Sequence, residues 1–398
     1  MNAAPGSPVR LLLLADDLTG ALDSGAALSQ QGIETLVAVE RDFPLAAAGA
    51  DALVLNLESR HLPPKEAYGR CFAAARQARR LGIPFAYKKT DSALRGNPGP
   101  ELCALRDAFG QNLAFVPAFP AMNRYLRGST LFIEGVPVAE SPFGRDPFNP
   151  VTHSALPDIL GCELTLVPSG QAPKIGRFPA LYAFEGKTRA DLAAIARRLR
   201  PLDFSLAAGC AGFAEFLPLL WDLPTKALPG FRPLPQLLVL CGSLNEFSLG
   251  QLGFAERAGA FSLTLGEREL ENPALLPLAQ IEKALRSGCA ILRTQAVAGP
   301  VCEARRAATA EALGRIAALL IAQNPAATPF LIGGDTLLAA MRAMRCQTLQ
   351  PLSTLAPGVV LCHAQTPAGQ LPLLTKSGGL GPVDVIPRAA AFLSQPQH

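Results

Sequence analysis

The sequence predicts an α/β protein of two lobes, each a largely parallel sheet flanked by helices, with the active site in the cleft between the lobes. Short, continuous apolar runs recur along the chain, as in strands that are buried on both faces. Segments with helical spacing of apolar residues separate these runs, and this alternation is typical of parallel sheets covered by helices. Because ligands of such sheets bind beyond the carboxyl ends of the strands, the cleft is the expected site.

The boundary between the lobes is predicted at residues 224–235 (PTKALPGFRPLP). Four prolines and one glycine in this stretch exclude a regular helix or strand. We interpret it as a linker between an N-terminal domain, residues 1–223, and a C-terminal domain, residues 236–398.

The N-terminal domain begins with an apolar run at 9–15 that ends at two aspartates, and the helix after it stops at Gly32. Between about 120 and 178, Gly, Pro and Asn recur at short intervals, and we expect a hairpin-bearing insertion or a loop there. The other predicted elements are a strand at 35–39, a strand at 52–57, a helix at 65–81, a strand at 85–88 and a helix at 100–109.

The C-terminal domain repeats the alternation of strands and helices. Its longest helix is predicted where Leu313, Ile316 and Leu320 share one face. The predicted elements are a strand at 237–240, a helix from about 248, a strand at 260–265, a helix at 274–286, a strand at 289–293, a helix at 303–323, a strand at 329–332, a helix at 336–345, and two apolar segments around 359–361 and 371–374.

The composition excludes several classes of protein. Hydrophobic residues make up 49% and charged residues 17% of the chain, which favours large cores over disorder and is compatible with a homodimer interface. The net charge of +4 is not concentrated in one lobe, which argues against a nucleic-acid partner. The apolar run before Asp16 is too short for a signal peptide or a membrane span. Nine cysteines without a CxxC pair indicate reduced thiols and a cytoplasmic location.

Asp16 and Asp17 follow the first strand directly and precede Thr19 and Gly20 at the start of a helix. One carboxylate is enough to cap a helix. The second is explained by a role with a cation or as the acceptor of a substrate hydroxyl proton. The structural alternative is a cap with a solvated neighbour.

Residues 88–97 (KKTDSALRGN) follow another strand and lead into the helix predicted from Pro100. The N-terminus of a helix favours an anion, and Arg95 offers two parallel hydrogen bonds to a carboxylate or phosphate. Gly96 and Gly99 would let a ligand approach the backbone. The pattern predicts an anion pocket, with a solvated charge cluster as the alternative.

Three glycine-bearing turns follow strands of the C-terminal domain, at 242–245 (GSLN), 333–336 (GGDT) and 376–381 (KSGGLG). Together their backbone N–H groups could cradle phosphates, although each alone is typical of a plain tight turn. No GxGxxG is present, and the GKT at 186–188 is not a phosphate loop because Leu181 stands where the first glycine belongs. The chain has four histidines, so a histidine-based metal site is not expected.

These motifs occur in the order shown by four-carbon acid sugar kinases, and the chain resembles that family over nearly its whole length. The specific blocks are ADDLTGALDSG at 15–25 and YKKTDSALRGNPGPEL at 87–102. The segments at 117–151, 207–215 and 241–248 and the last two glycine turns complete the resemblance.

The resemblance implies an ATP-dependent kinase that phosphorylates the terminal hydroxyl of a small acid sugar such as threonate, erythronate or 3-oxo-tetronate. It implies that the N-terminal domain binds the sugar acid and the C-terminal domain binds ATP. The implied site residues are Asp16, Asp17, Thr19, Lys89, Asp91 and Arg95 for the sugar acid, and Ser243, Gly333, Gly334, Asp335, Thr336 and Gly378 for ATP.

The mechanism expected from these residues is phosphoryl transfer by positioning and charge neutralisation. Arg95 would hold the substrate carboxylate, Asp17 would accept the hydroxyl proton, and Asp16 would orient hydroxyls or assist Mg²⁺, with no protein ligand of the ion assigned. A non-catalytic sensor that binds the acid sugar and nucleotide is the alternative. A nicotinamide-dependent oxidoreductase lacks its glycine fingerprint here.

Overall fold

The computed structural model of the chain describes residues 9–146, 148–176, 179–295 and 302–395. The chain divides after Leu228 into two compact units. The division falls within the stretch 224–235, which carries no helix or strand. Each unit contains a largely parallel sheet flanked by helices, which confirms the predicted fold class.

The N-terminal unit is built around an all-parallel sheet of eight strands in the order β2-β3-β1-β4-β11-β5-β10-β9. The strands of the whole unit, three of which lie outside this sheet, are β1 (Leu11–Ala15), β2 (Thr35–Ala38), β3 (Ala52–Asn56), β4 (Phe85–Lys89), β5 (Leu113–Val116), β6 (Arg124–Arg127), β7 (Thr130–Ile133), β8 (Val136–Pro137), β9 (Thr165–Val167), β10 (Leu181–Phe184) and β11 (Leu206–Gly209). Its helices are α1 (Leu18–Ser29), α2 (Pro64–Arg80), α3 (Pro98–Phe109), α4 (Leu156–Leu160), α5 (Arg189–Leu199), α6 (Ala211–Ala214) and α7 (Leu217–Leu220).

The centre of this sheet is β1, whose five apolar residues are fully buried between β3 and β4. The register pairs Ala15 with Asn56 on one side and with Lys89 on the other, and Lys89 in turn with Gly209. The carboxyl ends of four strands therefore finish at the same level, and the segments that follow them leave from one edge of the sheet.

The hairpin expected between 120 and 178 is confirmed. Strands β6, β7 and β8 form a separate antiparallel sheet of three strands, with Arg124 opposite Ile133. Positions 147, 177 and 178 of this stretch lie outside the described residues.

Trp221 is the single tryptophan of the chain, and it belongs to the core of the N-terminal unit. Its ring stacks on Phe85 with the centroids 5.0 Å apart. Its indole Nε1 donates a 2.6 Å hydrogen bond to the Phe204 carbonyl oxygen. Trp221 therefore has a packing role.

The C-terminal unit has a sheet of seven strands in the order β13-β14-β12-β15-β18-β17-β16, in which only the last two pairs are antiparallel. Its strands are β12 (Gln236–Cys241), β13 (Phe261–Leu265), β14 (Cys289–Thr294), β15 (Ala327–Ile332), β16 (Thr348–Ala356), β17 (Val359–Thr366) and β18 (Gly369–Lys376). Its helices are α8 (Glu246–Arg257), α9 (Glu267–Glu271), α10 (Leu278–Arg286), α11 (Glu303–Gln323), α12 (Gly334–Ala343) and α13 (Val385–Leu393).

Several elements differ from the prediction or were not predicted, and three of them are instructive. Helix α3 begins at Pro98 rather than at residue 100, because both prolines fit the first turn, where an N–H is not needed. The helix predicted at 274–286 begins at Leu278, after a short 3₁₀ turn at Pro273–Leu275. The two apolar segments near the C-terminus belong to a meander of three strands, and its first strand, β16, was not predicted.

No helix within the described part of the chain is both long enough and apolar enough to cross a membrane.

Candidate functional site

The carboxyl edge of the N-terminal sheet gathers the polar segments that follow β1, β3 and β4. Asp16 and Asp17 follow β1, residues 57–60 follow β3, and Thr90 and Asp91 follow β4. The aligned register brings these segments together. We call this group of residues, with Lys89 and Arg95, Asp23 on α1 and Arg124 on β6, the N-terminal pocket.

Asp17 is the N-cap of α1. Its Oδ1 accepts a hydrogen bond of 2.8 Å from the Gly20 backbone N–H, and its Oδ2 accepts one of 2.9 Å from the Thr19 hydroxyl. A Cβ atom at position 20 would lie 2.4 Å from Asp17 Oδ1 and 2.8 Å from Lys89 Nζ. Gly20 is therefore what lets the Lys89 ammonium lie over the start of the helix.

Arg60 links the two adjacent aspartates and was not identified from the sequence. Its Nε donates to Asp16 Oδ2 at 2.6 Å and its Nη1 to Asp17 Oδ2 at 2.7 Å. A third carboxylate oxygen, Asp91 Oδ1, lies 3.8 Å from Nη2. Burial acts to raise the pKa of Asp16, but Arg60 and the neighbouring lysines hold it below its ordinary value. Asp16 is therefore ionised although it is buried.

Asp91 and Arg95 form a bidentate ion pair, with Nε at 3.0 Å from Oδ2 and Nη2 at 2.9 Å from Oδ1. The remaining Arg95 nitrogen, Nη1, donates to Asp146 at 3.1 Å. Burial acts to raise the pKa of Asp91, but Arg95 and Arg60 hold it well below the ordinary value. The guanidinium expected to receive a substrate anion is thus already engaged by two carboxylates of the protein.

The glycines beside Arg95 serve chain packing. Gly96 has a φ of 81°, and a Cβ atom there would lie 2.9 Å from the Arg60 carbonyl oxygen. A Cβ atom on Gly99 would lie 1.8 Å from the Leu160 carbonyl oxygen. From the sequence we expected these glycines to let a ligand approach the backbone. At both positions the space is instead taken by the protein's own chain.

A buried ion pair lies beneath the pocket. Lys88 Nζ is 3.2 Å from Glu101 Oε2, and both side chains are almost fully buried. The Ser59 hydroxyl donates to Glu101, and Lys88 also donates to the Leu14 and Lys89 carbonyl oxygens. Burial acts to lower the pKa of Lys88, but Glu101 outweighs it and keeps the lysine protonated. This pair therefore supports the segment after β3 and the end of β4 from below.

Asp23 lies on α1, in the electrostatic reach of Lys89, Asp17 and Arg124. Among the described residues no hydrogen bond or ion pair holds its carboxylate. Burial raises its pKa to about 6, Lys89 and Arg124 act to lower it, and Asp17 adds to the rise. A partly buried carboxylate with such a pKa is suited to exchange a proton near neutral pH.

Three buried polar atoms of the N-terminal pocket have no hydrogen-bond partner among the described residues: Asp16 Oδ1, Thr90 Oγ1 and Arg124 Nε. Buried polar groups are normally paired, and an unpaired one costs about 1–3 kcal/mol. Asp16 Oδ1 can accept a hydrogen bond, the Thr90 hydroxyl can donate or accept one, and Arg124 Nε can donate one to an anion. These three atoms together match a small ligand that carries hydroxyl groups and a negative charge.

The three glycine turns of the C-terminal unit converge. A Cβ atom on Gly242 would lie 2.4 Å from Thr336 Oγ1, and one on Gly378 would lie 2.5 Å from Ser243 Oγ. Gly333, with a φ of 108°, lies against both Thr336 and Ser243. We call this group of turns the glycine cradle. The cradle gathers backbone N–H groups and two hydroxyls near the start of α12, a combination typical of phosphate sites.

Two buried side chains that sequence analysis did not single out hold the last turn of the cradle. Lys376 Nζ donates to the carbonyl oxygens of Ser377, Gly378 and Leu380. The Gln251 amide donates to the carbonyl oxygens of residues 380–382. Burial lowers the pKa of Lys376 to about 8. The shape of this turn is therefore set from α8 and from the end of β18.

Asp335 differs from the other predicted nucleotide residues because its side chain is half exposed. Its Oδ2 lies 3.5 Å from Arg306 Nε on α11. Gly334 begins α12, and Thr336 is buried in its first turn. The structure thus brings Ser243, Gly333, Thr336 and Gly378 into direct proximity.

The sequence contained little to indicate Arg60, Asp23 or Arg124. Arg60 lies in a short turn without a recognisable motif, whereas Asp23 lies in the block at 15–25 that carries the resemblance and was given no role there. Arg124 lies inside the block at 117–151 that carries the resemblance, which was the available signal.

Comparison with known proteins divides the chain in the same way. The family model described as a sugar-binding N-terminal domain matches residues 11–217, and the one described as a nucleotide-binding C-terminal domain matches residues 238–386. A D-threonate kinase of Bordetella bronchiseptica is 28% identical over 96% of this chain and 97% of its own. A 3-oxo-tetronate kinase of Methylobacterium radiotolerans is 30% identical over 96% of this chain and 98% of its own.

Solved structures show the same fold. A protein of Salmonella typhimurium LT2 superposes with a TM-score of 0.74 at 23% identity, covering 95% of this chain and 98% of that one. A Bordetella bronchiseptica protein, solved with bound citrate as a domain-swapped dimer, has a TM-score of 0.50 at 27% identity, covering 98% of this chain and 100% of that one.

Proposed function

The chain is a member of the four-carbon acid sugar kinase family, and from that membership we propose that it transfers the γ-phosphoryl group of ATP to the terminal hydroxyl of a four-carbon sugar acid. Relatives named D-threonate, D-erythronate and 3-oxo-tetronate kinase define the acids to be tested. The unpartnered buried atoms of the N-terminal pocket are the observation that carries this proposal. A hydroxylated carboxylate would satisfy donors and acceptors that the protein leaves open.

The sugar-acid site in this proposal is lined by Asp16, Asp17, Thr19, Lys89, Asp91 and Arg95. Asp17 accepts the proton of the reacting hydroxyl, a role that typically accelerates a reaction about 10²–10⁴-fold. Its side chain is 24% exposed against 3% for Asp16, so a substrate hydroxyl can reach it. Asp16, held ionised by Arg60, accepts hydrogen bonds from substrate hydroxyls through its Oδ1, which is buried and unpartnered among the described residues.

Asp23 is a second candidate for proton acceptor, on a different ground. Its pKa of about 6 is nearer to neutral pH than that of an ordinary aspartate, and no partner among the described residues competes for its lone pairs. Comparison of Asp17→Asn with Asp23→Asn separates the two: the variant of the true base loses turnover while substrate binding changes little.

The nucleotide site in this proposal is the glycine cradle. Ser243 and Gly378, together with the turn formed by Gly333, Gly334, Asp335 and Thr336, contact the phosphates of ATP. The convergence of these glycines on the Ser243 and Thr336 hydroxyls supports this role, because backbone N–H groups and hydroxyls gathered at the start of a helix can bind phosphate oxygens.

Magnesium fits this arrangement as part of the ATP complex. No group of three or more His, Cys, Asp and Glu residues in the described part of the chain could hold an ion alone. Mg²⁺ commonly keeps several waters and takes phosphate oxygens with one or two carboxylates, and the half-exposed Asp335 can supply one. The ion, when bound, neutralises charge on the transferred phosphoryl group.

The direct test is a coupled assay of ADP release with Mg-ATP and a panel of threonate, erythronate, 3-oxo-tetronate and related acids. We expect turnover with at least one acid and none with the matching sugar alcohol. Binding of an acid and of ATP without ADP formation would instead identify a sensor. No binding of any acid on the panel would contradict both readings.

The Bordetella bronchiseptica protein solved as a domain-swapped dimer supports a further part of the proposal, that this chain forms a homodimer. Sedimentation equilibrium at micromolar concentration tests it, and a monomer under those conditions contradicts it. A cytoplasmic location, where ATP is available and nine free thiols stay reduced, is also proposed.

A further inference from the structure

Arg124 is a buried cation without a carboxylate partner. Its residue is 5% exposed, yet it forms no ion pair with any carboxylate in the described ranges. Nη1 donates to the Ser92 hydroxyl, and Nε has no hydrogen-bond partner there. A buried charge is normally paired, because removing an ion from water is costly unless an opposite charge compensates. Asp91 and Asp23 act on the guanidinium only from beyond ion-pair distance, so no carboxylate of the described residues binds it directly.

The other two arginines of the N-terminal pocket are neutralised by the protein itself. Arg60 is bound by Asp16 and Asp17, and Arg95 by Asp91 and Asp146. All three nitrogens of Arg95 are engaged and two carboxylates already balance its charge, so a substrate carboxylate would have to share this guanidinium with Asp91 and Asp146. Arg124 can accept a carboxylate without breaking any ion pair.

The surroundings of Arg124 hold its guanidinium in a defined plane. Its Cζ lies 4.9 Å from the centroid of the Phe143 ring, and Arg95 Cζ lies 5.2 Å from the same ring. Ser92 fixes Nη1, and the β6–β7 hairpin fixes the backbone, with the Arg124 N–H donating to the Phe119 carbonyl oxygen. A planar guanidinium fixed in this way, with its Nε unpartnered in the described part of the chain, can form two parallel hydrogen bonds to a carboxylate.

The position of Arg124 also fits the other groups of the pocket. Ser92, its hydrogen-bond partner, lies two residues after Thr90, whose buried hydroxyl is also unpartnered. Asp23 is close enough to interact electrostatically with both Arg124 and Lys89. An acid bound at Arg124 would therefore extend its hydroxyl groups along the segment after β4, towards the start of α1.

We propose that Arg124, and not Arg95, binds the carboxylate of the sugar acid and so sets the preference for acids over sugar alcohols. This inference rests on the proposed function. Arg95 is then a positioning residue, which holds Asp91, Asp146 and the Phe143 ring. Burial lowers the pKa of Arg124, and the more distant Asp91 carboxylate raises it too little to reverse this.

The test compares equilibrium binding of the preferred acid and of its sugar alcohol by calorimetry, without nucleotide, so that binding is measured apart from turnover. The variants are Arg124→Met, Arg124→Lys and Arg95→Met. Arg127→Met is the matched control, because Arg127 lies on the same strand and is exposed. Fluorescence of Trp221 reports whether each N-terminal unit is folded.

We expect Arg124→Met to weaken binding of the acid about 10- to 100-fold, the usual effect of losing hydrogen bonds to a charged group, and to leave binding of the alcohol unchanged. Arg124→Lys should recover part of the preference, and nucleotide binding should stay as in wild type. Acid affinity of Arg124→Met equal to that of Arg127→Met would overturn the inference. Selective loss of acid binding in a folded Arg95→Met, with Arg124→Met unaffected, would also overturn it. A wild-type protein that binds and phosphorylates no acid contradicts the proposed function itself.

Discussion

Replacement of Asp23 by Asn is predicted to stabilise the N-terminal unit at neutral pH. The raised pKa means that folding penalises the charged carboxylate, because the folded state holds the proton up to about pH 6 while an ordinary aspartate releases it near 3.8. The folded state therefore binds more protons than the unfolded state between these values, and stability falls as pH rises through this window. Asn has nearly the same shape and removes the penalty.

The size of the effect follows from the two pKa values. A rise from 3.8 to about 6 corresponds to about 3 kcal/mol. Because the side chain is only partly buried, solvent screens part of this, and we expect a gain of about 2 kcal/mol in the free energy of unfolding at pH 7.5. The gain should shrink below pH 6 and disappear near pH 4.

Urea unfolding followed by Trp221 fluorescence measures this gain for the N-terminal unit alone, since that unit contains the single tryptophan. Asp42→Asn is the matched control, because the Asp42 side chain is 88% exposed. Equal stability of Asp23→Asn and the control at pH 7.5 would refute the argument from burial. A gain that persists at pH 4 would show that the carboxylate charge is not its cause. If Asp23 is also the base, the same variant loses turnover about 10²–10⁴-fold.

Three further predictions follow from the site. Gly378→Ala places a Cβ atom 2.5 Å from the Ser243 hydroxyl and should raise the KM for ATP about tenfold. Gly379→Ala is the control, because its nearest contact would be 3.7 Å away, and it should change the KM less than twofold. Steady-state kinetics of both variants tests this difference. Lys88→Met alone should lower the free energy of unfolding by about 3–5 kcal/mol, because it leaves Glu101 buried and unpaired. Adding Glu101→Leu should restore much of this stability in urea unfolding. Additive losses from the two substitutions would contradict a coupled pair. Chelation of Mg²⁺ with EDTA should abolish ADP release but leave calorimetric binding of the acid intact, and turnover in excess EDTA would exclude the ion from the reaction.

Much of the N-terminal fold follows from patterns that a sequence carries directly. The run Leu11–Ala15 is fully apolar and can only be a buried strand, and the residues after it must then leave at the carboxyl edge. That reasoning places Asp16, Asp17 and Lys89 in one region before any coordinates are known. The antiparallel strand β16 escaped prediction because Pro351, Ser353 and Thr354 interrupt its apolar alternation.

The pairing of charges could not be predicted in the same way. Which arginine binds which carboxylate depends on distances between segments that are far apart in the chain, such as the 44 residues between Arg60 and Asp16. Arg95 is the type of residue expected in an anion site, and its partner Asp91 is four residues away in the chain. Nothing in the local sequence indicates that Asp146 is its second carboxylate partner. Arg124 stands out only when the partners of all three arginines are compared.

The anchoring of the last cradle turn by Lys376 and Gln251 has a consequence for redesign of the enzyme. These two side chains donate hydrogen bonds to backbone carbonyl oxygens, so their contacts do not depend on which side chains residues 377–382 carry. Amino-acid choice at a position such as Leu380 is thereby uncoupled from the path of the main chain. On the proposal that the glycine cradle binds the nucleotide, a library confined to Ser377 and Leu380 varies the side chains at this turn while its main chain stays as it is.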